Sequence, residues 1–148
     1  MIVRPIRVTD LPGVLALYGQ SGLDNDAVLS VAQAREVFQQ FARYPSYRLF
    51  VACEPAFPDS VIATYALLVM HNLAHSGTPS AIAEDVVVAP DRQGQGIGRQ
   101  LMAHALQQAR DAGCYKLALS SNAKRQAAHA FYESLGFQRH GLSFVIET

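Results

Sequence analysis

Ile82-Ala83-Glu84-Asp85-Val86-Val87-Val88-Ala89-Pro90-Asp91-Arg92-Gln93-Gly94-Gln95-Gly96-Ile97-Gly98 joins a β-branched run to a glycine-rich turn, and apolar residues then recur at helical spacing through Leu101, Met102, Leu106 and Ala109. Strand, turn and helix in that order predict an anion cradle. The first N–H groups of a helix have no internal acceptor, and the macrodipole adds partial positive charge at the same end. The glycines permit positive φ and a close approach of backbone to ligand. A phosphorylated ligand is the expectation.

Outward from this stretch the chain alternates between the two periodicities. Residues 2–8 read as an opening strand, at a sheet edge because of Pro5. Thr9 or Asp10 is placed to cap a helix whose apolar face includes Leu11, Val14, Leu15 and Tyr18. Gly22-Leu23-Asp24-Asn25-Asp26 is a loop, and residues 30–43 form a second amphipathic helix with Val31, Ala34, Val37, Phe38 and Phe41 on one face. Residues 48–54 and 61–72 are strands joined through Pro55-Ala56-Phe57-Pro58-Asp59-Ser60, and His75-Ser76-Gly77-Thr78-Pro79 is a polar loop. After the glycine turn the helix ends near Ala112, with Gly113 as its left-handed terminator. A strand over 115–121, a helix over 123–135 and a final strand near 142–146 complete the order β-α-α-β-β-β-α-β-α-β-β. The expected class is a mixed α/β domain occupying residues 1–148 as one unit.

Bulk properties narrow the function classes. With 148 residues, half of them hydrophobic, the chain can bury one substantial core. Twelve basic and twelve acidic side chains cancel, so no chain-wide pull toward nucleic acid or anionic membrane is expected. The longest apolar run, 61–70, is interrupted by Thr64 and Tyr65 and falls short of a membrane span. The N-terminus lacks a secretion pattern, and two cysteines outside any Cys-x-x-Cys pair suit reduced thiols, so a cytoplasmic location is expected. No His/Cys/Asp spacing matches a metal site.

Two nucleotide-binding motifs fail against the glycine turn. A Walker loop needs Lys-Ser or Lys-Thr after its last glycine, whereas Gly98 is followed by Arg99-Gln100. A dinucleotide fingerprint belongs in the first βα unit, whereas this turn lies two thirds of the way along. Instead, Val86-Val87-Val88-Ala89-Pro90 followed by Gln93-Gly94-Gln95-Gly96-Ile97-Gly98 resembles the acetyl-CoA-binding motif of the GNAT acetyltransferase superfamily, Arg/Gln-x-x-Gly-x-Gly/Ala after a strand ending in Val-x-Pro. Ala128-His129-Ala130-Phe131-Tyr132-Glu133-Ser134-Leu135-Gly136-Phe137 resembles the family's Phe-Tyr-x-x-x-Gly-Phe segment.

The resemblance implies a central mixed, mostly antiparallel sheet, splayed at an acetyl-CoA site and flanked by helices. It implies that backbone N–H groups of Gln93, Gly94, Gln95, Gly96, Ile97 and Gly98, with Arg99 nearby, hold the coenzyme pyrophosphate. The strand Val86, Val87 and Val88 would guide the pantetheine arm, with main-chain hydrogen bonds from Val86 and Val88. Acetyl transfer to an amine requires a neutral nitrogen and a proton for the departing thiolate. An alkyl ammonium titrates near ~10.4, so a base helps at neutral pH. By resemblance Tyr132 is the general acid; the competing reading is one more packed aromatic beside Phe131. Glu84 is the candidate base, through a water, and a surface carboxylate at the strand entrance is its competing reading. Because strand residues alternate faces, only one of Glu84 and Asp85 is expected to point toward the acceptor. His71 and His75 are placed for acceptor contacts, whereas His129 and Cys114 receive no chemical role.

A narrower resemblance, carried by His75-Ser76, by Glu84 through Val88 and by Cys114-Tyr115-Lys116, is to glucosamine-6-phosphate N-acetyltransferases. Those enzymes carry a basic cluster after His-Ser; here Gly77-Thr78-Pro79-Ser80-Ala81 has no positive charge, and a phosphate dianion would lack its strongest contacts there. Arg43, Arg48 or Lys124 are the cations that could replace it. The expected partner is a small-molecule primary amine, with an amino sugar among the candidates. Peptide amines and a non-catalytic acyl-CoA-binding module are the alternatives. The resemblance also implies a homodimer formed through the last strands, and the expected metal set is empty.

Overall fold

The computed structural model describes residues 1–25 and 27–148; Asp26, which closes the expected loop, lies outside the described residues. Two compact units divide the chain, Met1–Ala118 and Leu119–Thr148.

In the first unit β1 (Ile2–Pro5), α1 (Leu11–Ser21), α2 (Val31–Gln40), β2 (Tyr47–Glu54), β3 (Phe57–Met70), β4 (Ser80–Val88) and α3 (Ile97–Asp111) follow in order, and β5 (Leu117–Leu119) begins there. The five strands form one sheet in chain order, antiparallel from β1 to β4. At the β4–β5 junction Tyr115 N–H donates to Pro79 C=O at 3.0 Å and Ala81 N–H donates to Lys116 C=O at 3.0 Å, which is the slanted pattern of a parallel pair. α3 supplies the crossover that a parallel connection requires. The expected mixed, mostly antiparallel sheet flanked by helices is the observed one, and Pro5 does sit in the outermost strand.

Strand alternation divides the core between two helical layers. Leu49, Val51 and Cys53 pack with Val14 of α1, and Leu17 packs with Val87 and Ala89. Phe50, between the first two, faces the other way: its ring stacks on Tyr65 at 5.1 Å and meets the His104 ring of α3 at 5.0 Å. α3 buries Ile97, Leu101, Met102, Ala105 and Ala109, so Ala105 takes the place expected for Leu106, which is exposed. Gly13 brings α1 close to β3, since a Cβ there would meet Val61 Cβ and Cγ2 at 3.1 Å.

Several boundaries differ from expectation for identifiable reasons. The first strand stops at Pro5, and Asp10 takes the expected N-cap position of α1 without a side-chain cap hydrogen bond. Its buried carboxylate instead takes Arg4 Nη1 at 2.6 Å and Nη2 at 2.9 Å, along with Arg7 N–H at 2.6 Å. α2 is shorter than 30–43: Ser30 and Gln33 make a capping box, and residues Phe41–Arg43 tighten into a 3-10 turn. Only Ala34 of its expected apolar face is buried, while Val31 and Val37 are exposed. The β2–β3 connection is tighter than six residues, because Glu54 already opposes Phe57 and β3 absorbs Phe57 through Ser60. α3 ends as expected, with Gly113 at φ 72°, Gly113 N–H on Arg110 C=O and Cys114 N–H on Ala109 C=O, both at 2.9 Å.

In the second unit α4 (Gln126–Ser134) ends on Gly136 at φ 94°, with Gly136 N–H donating to Glu133 C=O at 3.0 Å and Phe137 N–H to Tyr132 C=O at 3.1 Å. The strand expected near 142–146 is absent: residues 137–148 hold neither helix nor strand. Leu142, Phe144, Val145 and Ile146 are 85% to 92% exposed, and a strand without a ladder partner has nothing to stabilise it.

Candidate active site

The glycine turn begins with main-chain anchoring. Ala89 N–H donates to Ile62 C=O at 2.9 Å, and Arg92 N–H donates to Ala89 C=O at 2.9 Å. Arg92 Nη1 pairs with Glu54 Oε1 at 2.7 Å, tying the turn to β2. Gln95 Nε2 reaches Asp91 C=O at 3.2 Å, and Gln93 Nε2 reaches Val88 C=O at 3.3 Å. Gly94 and Gly96 then adopt φ 75° and 78°, a left-handed backbone that costs a residue with a Cβ roughly 1–2 kcal/mol. A Cβ built on either glycine meets nothing within 4 Å, so the space over the turn is open.

Gly96 is the N-cap of α3 and provides no side-chain acceptor; Gln100 N–H is the first to turn back, onto Gly96 C=O at 3.2 Å. The N–H groups of Ile97, Gly98 and Arg99 therefore begin the helix with the polarity that suits an anion. Arg99 is exposed beside them, whereas Ile97 is buried and anchors the turn to the core. Among the strand residues, Val87 is buried against Leu17 and Ala89, so only its main chain is available, while Val86 and Val88 are half-buried. The residues present fit a pyrophosphate cradle, because the space that any Cβ at Gly94 or Gly96 would enter is kept clear.

Next to the cradle β4 carries a bulge. Thr64 opposes Val87 and Ala66 opposes Glu84, so Tyr65 faces both Asp85 and Val86. Asp85 takes φ 49°, a left-handed conformation rare for a residue with a side chain. The bulge breaks the two-residue alternation, so alternation cannot choose between Glu84 and Asp85. Both remain exposed. The Asp85 carboxyl is pushed above its ordinary value, first by desolvation and second by the charge of Asp24. Asp85 in turn raises the phenols of Tyr18 and Tyr47, in each case after burial, and Glu84 adds to the effect on Tyr47. Three carboxylates and two tyrosines thus share one electrostatic neighbourhood. Sequence reading missed Asp24, Tyr18 and Tyr47 as members of it; they come from the loop after α1, from α1 itself and from the start of β2. The positive φ of Asp85 had only a weak signal in its residue type, since aspartate is among the side chains enriched in that region.

At the other end of β4, Met70, His71, Asn72, His75, Ser80, Tyr115 and Lys116 surround a cleft of about 410 Å³. The His75 and Tyr115 rings lie 4.6 Å apart, and Lys116 Nζ stands 5.3 Å from the Tyr115 centroid. His71 and His75 therefore line one cleft with Lys116, a cation that residues 77–81 lack. Among the described residues no group of three metal-ligating side chains occurs.

Tyr132 belongs to the second unit. It follows Phe131, its ring stands 5.3 Å from Phe131 and 5.9 Å from Phe137, and desolvation raises its phenol above the ordinary value against a smaller lowering by Arg125. The hydroxyl stays protonated at neutral pH, as a proton donor must. His129 acts locally, since its Nε2 lies 2.9 Å from Asn122 C=O and ties α4 to the preceding loop.

Comparison with known proteins agrees with this arrangement. Residues 18–137 match the acetyltransferase (GNAT) family. A rice (Oryza sativa subsp. japonica) protein assigned as glucosamine 6-phosphate N-acetyltransferase 2 is 29% identical over 147 residues, 97% of this chain and 86% of its own. The aminoalkylphosphonate N-acetyltransferase of Salmonella typhimurium is 38% identical over 85 residues, 57% of this chain and 54% of its own. A solved structure from Agrobacterium tumefaciens str. C58, assigned as an acetyltransferase, superposes with TM-score 0.90 at 37% identity over 100% of both chains. A strand–turn–helix cradle, a bulged β4 and this family match lead to one conclusion: the chain belongs to the GNAT acetyltransferase family and is an acetyl-transferring enzyme.

Proposed function

We propose that this enzyme moves the acetyl group of acetyl-CoA to the primary amine of a small molecule, by direct attack within a ternary complex. The observation that carries the reading is the open turn, with Gly94 and Gly96 at positive φ and the first N–H groups of α3 left for a diphosphate. The bound donor supplies the activated thioester. The chain's residues supply the rest. Backbone N–H groups from Gln93 to Gly98, with Arg99, hold the pyrophosphate, and the main chain at Val86 and Val88 orients the pantetheine arm. Gln93 Nε2, now on Val88 C=O, is the contact that must share or release that oxygen.

Glu84, through a water, takes a proton from the ammonium so that the nitrogen lone pair can form the new C–N bond. As the C–S bond breaks, Tyr132 gives its phenolic proton to the sulfur, and the second proton lost by the attacking nitrogen restores the phenol, leaving a neutral amide and a free thiol. Its assignment rests on the Phe131-Tyr132 to Gly136-Phe137 motif and on its raised phenol. We read residues 1–148 as one catalytic domain and the enzyme as cytoplasmic; among the described residues no helix is long and apolar enough to cross a membrane. The exposed Leu142, Phe144, Val145 and Ile146 support a homodimer that covers them.

A panel of primary amines with acetyl-CoA, followed by release of free thiol, tests the reading. Thiol release with at least one amine, in step with N-acetylated product, is expected. Tight coenzyme binding with silence across the panel would instead identify a non-catalytic acyl-CoA-binding module.

A further inference from the structure

The hydroxyl of Tyr65 is a polar group inside the contact between α3 and the sheet. The residue is fully buried in β3, its ring stacks on Phe50 at 5.1 Å, and its Oη lies 2.7 Å from Nδ1 of His104 in α3. The His104 ring stands edge-on to both, 5.0 Å from Phe50 and 6.0 Å from Tyr65. Burial raises the Tyr65 phenol, with the Arg48 charge as a smaller opposing effect, and burial followed by the same charge lowers His104. A protonated phenol facing an unprotonated ring nitrogen donates to it, which puts the imidazole proton on Nε2. Both residues stand at junctions of the donor site. Tyr65 is the β3 residue that faces Asp85 and Val86 across the bulge. His104 lies about two turns beyond Ile97, on the helix that opens at Gly96 and packs on β3 and β4. The buried neighbours of His104 on that helix, Leu101 and Ala105, are apolar. Apolar contact has no preferred direction, whereas a hydrogen bond weakens steeply with misalignment. The pair is therefore a directional contact between the cradle helix and the strand beside the bulge.

We propose that Tyr65 and His104 are positioning residues for acetyl transfer: their hydrogen bond sets the spacing between the diphosphate cradle at the start of α3 and the Val86–Val88 main chain that orients the thioester arm. The inference rests on the acetyl-CoA reading above and deepens it. A donor held at two places gains from the second only when the spacing matches, because the second contact is then intramolecular. A misplacement of about 1 Å, made far from the chemistry, can cost on the order of 10²-fold in rate.

Calorimetry with two probes tests the pair. Acetyl-CoA spans both half-sites, and ADP carries a diphosphate without the pantetheine arm. Tyr65→Phe keeps the stacked ring and removes only the hydroxyl. It should weaken acetyl-CoA at least about fivefold, the equivalent of one net hydrogen bond, and leave ADP affinity within about twofold. His104→Leu should do the same, whereas His104→Asn, whose Oδ1 offers an acceptor near the place of Nδ1, stays close to wild type. Tyr65→Phe combined with His104→Leu should be no worse than either alone, as expected of one shared interaction. A general loosening of α3 would weaken both probes alike. That result, or acetyl-CoA affinity unchanged in Tyr65→Phe, overturns the proposal while the donor reading stands. Wild-type protein that binds no acetyl-CoA overturns both.

Discussion

At the residue scale, two hydroxyl-bearing aromatics show how burial sets chemistry. Tyr132 carries a phenol pushed above its ordinary value by desolvation, so it keeps its proton across the neutral range. Tyr132→Phe should lower kcat about 10²- to 10³-fold with acetyl-CoA affinity unchanged, as steady-state rates and calorimetry would show; unchanged turnover would remove the acid role. Tyr65 is fully buried, and its hydroxyl lies 2.7 Å from His104 Nδ1. Desolvation, and then the charge of Arg48, hold His104 below its ordinary 6.5. A histidine kept neutral in the folded state binds fewer protons than in the unfolded chain, so its contribution is complete above about 6.5 and is lost as pH falls through the folded value. The unfolding midpoint should therefore drop from pH 7 toward pH 5, and His104→Gln should flatten that limb. Asp10, held below its ordinary range mainly by Arg4, gives a separate loss at lower pH with the same sign. The Phe131-Tyr132 to Gly136-Phe137 motif is legible in sequence, and the role proposed for Tyr132 rests on it; the His104–Tyr65 pair was not legible, because 39 residues separate its members.

At the element scale, α3 and its turn act together. Gly94 and Gly96 fix the path into the helix, and Gln93, Gln95 and Arg92 hold that path from the sides. Gly96→Val would force a β-branched residue into φ near 78° and place its side chain over the cradle. An increase of at least about tenfold in the acetyl-CoA dissociation constant is expected, together with a modest loss of stability by thermal unfolding. Normal coenzyme affinity in that variant would mean the diphosphate sits elsewhere. The cradle was readable because glycine spacing is local information. The β4 bulge was not, since Glu84-Asp85-Val86 reads as an ordinary strand until Tyr65 is seen to oppose two residues.

At the scale of the whole molecule, the tail is the surface that the proposed homodimer would cover. Four apolar side chains within residues 142–146 stand in solvent, an arrangement that association would relieve. Sedimentation velocity should find a dimer for the wild type and a monomer for Phe144→Asp combined with Ile146→Asp; a monomeric wild type would remove the role given to the tail. The expected terminal strand illustrates the general division. Sequence alone determined the family and the succession of elements up to α4, because turn glycines, caps and apolar periodicity act over a few residues. It also placed Glu84 and Tyr132 within their motifs. Tertiary structure alone decided the strand order, the bulge at Asp85 and the pairing of Arg4 with Asp10. Each of these depends on which distant residues exclude water from one another, and that is a property of packing.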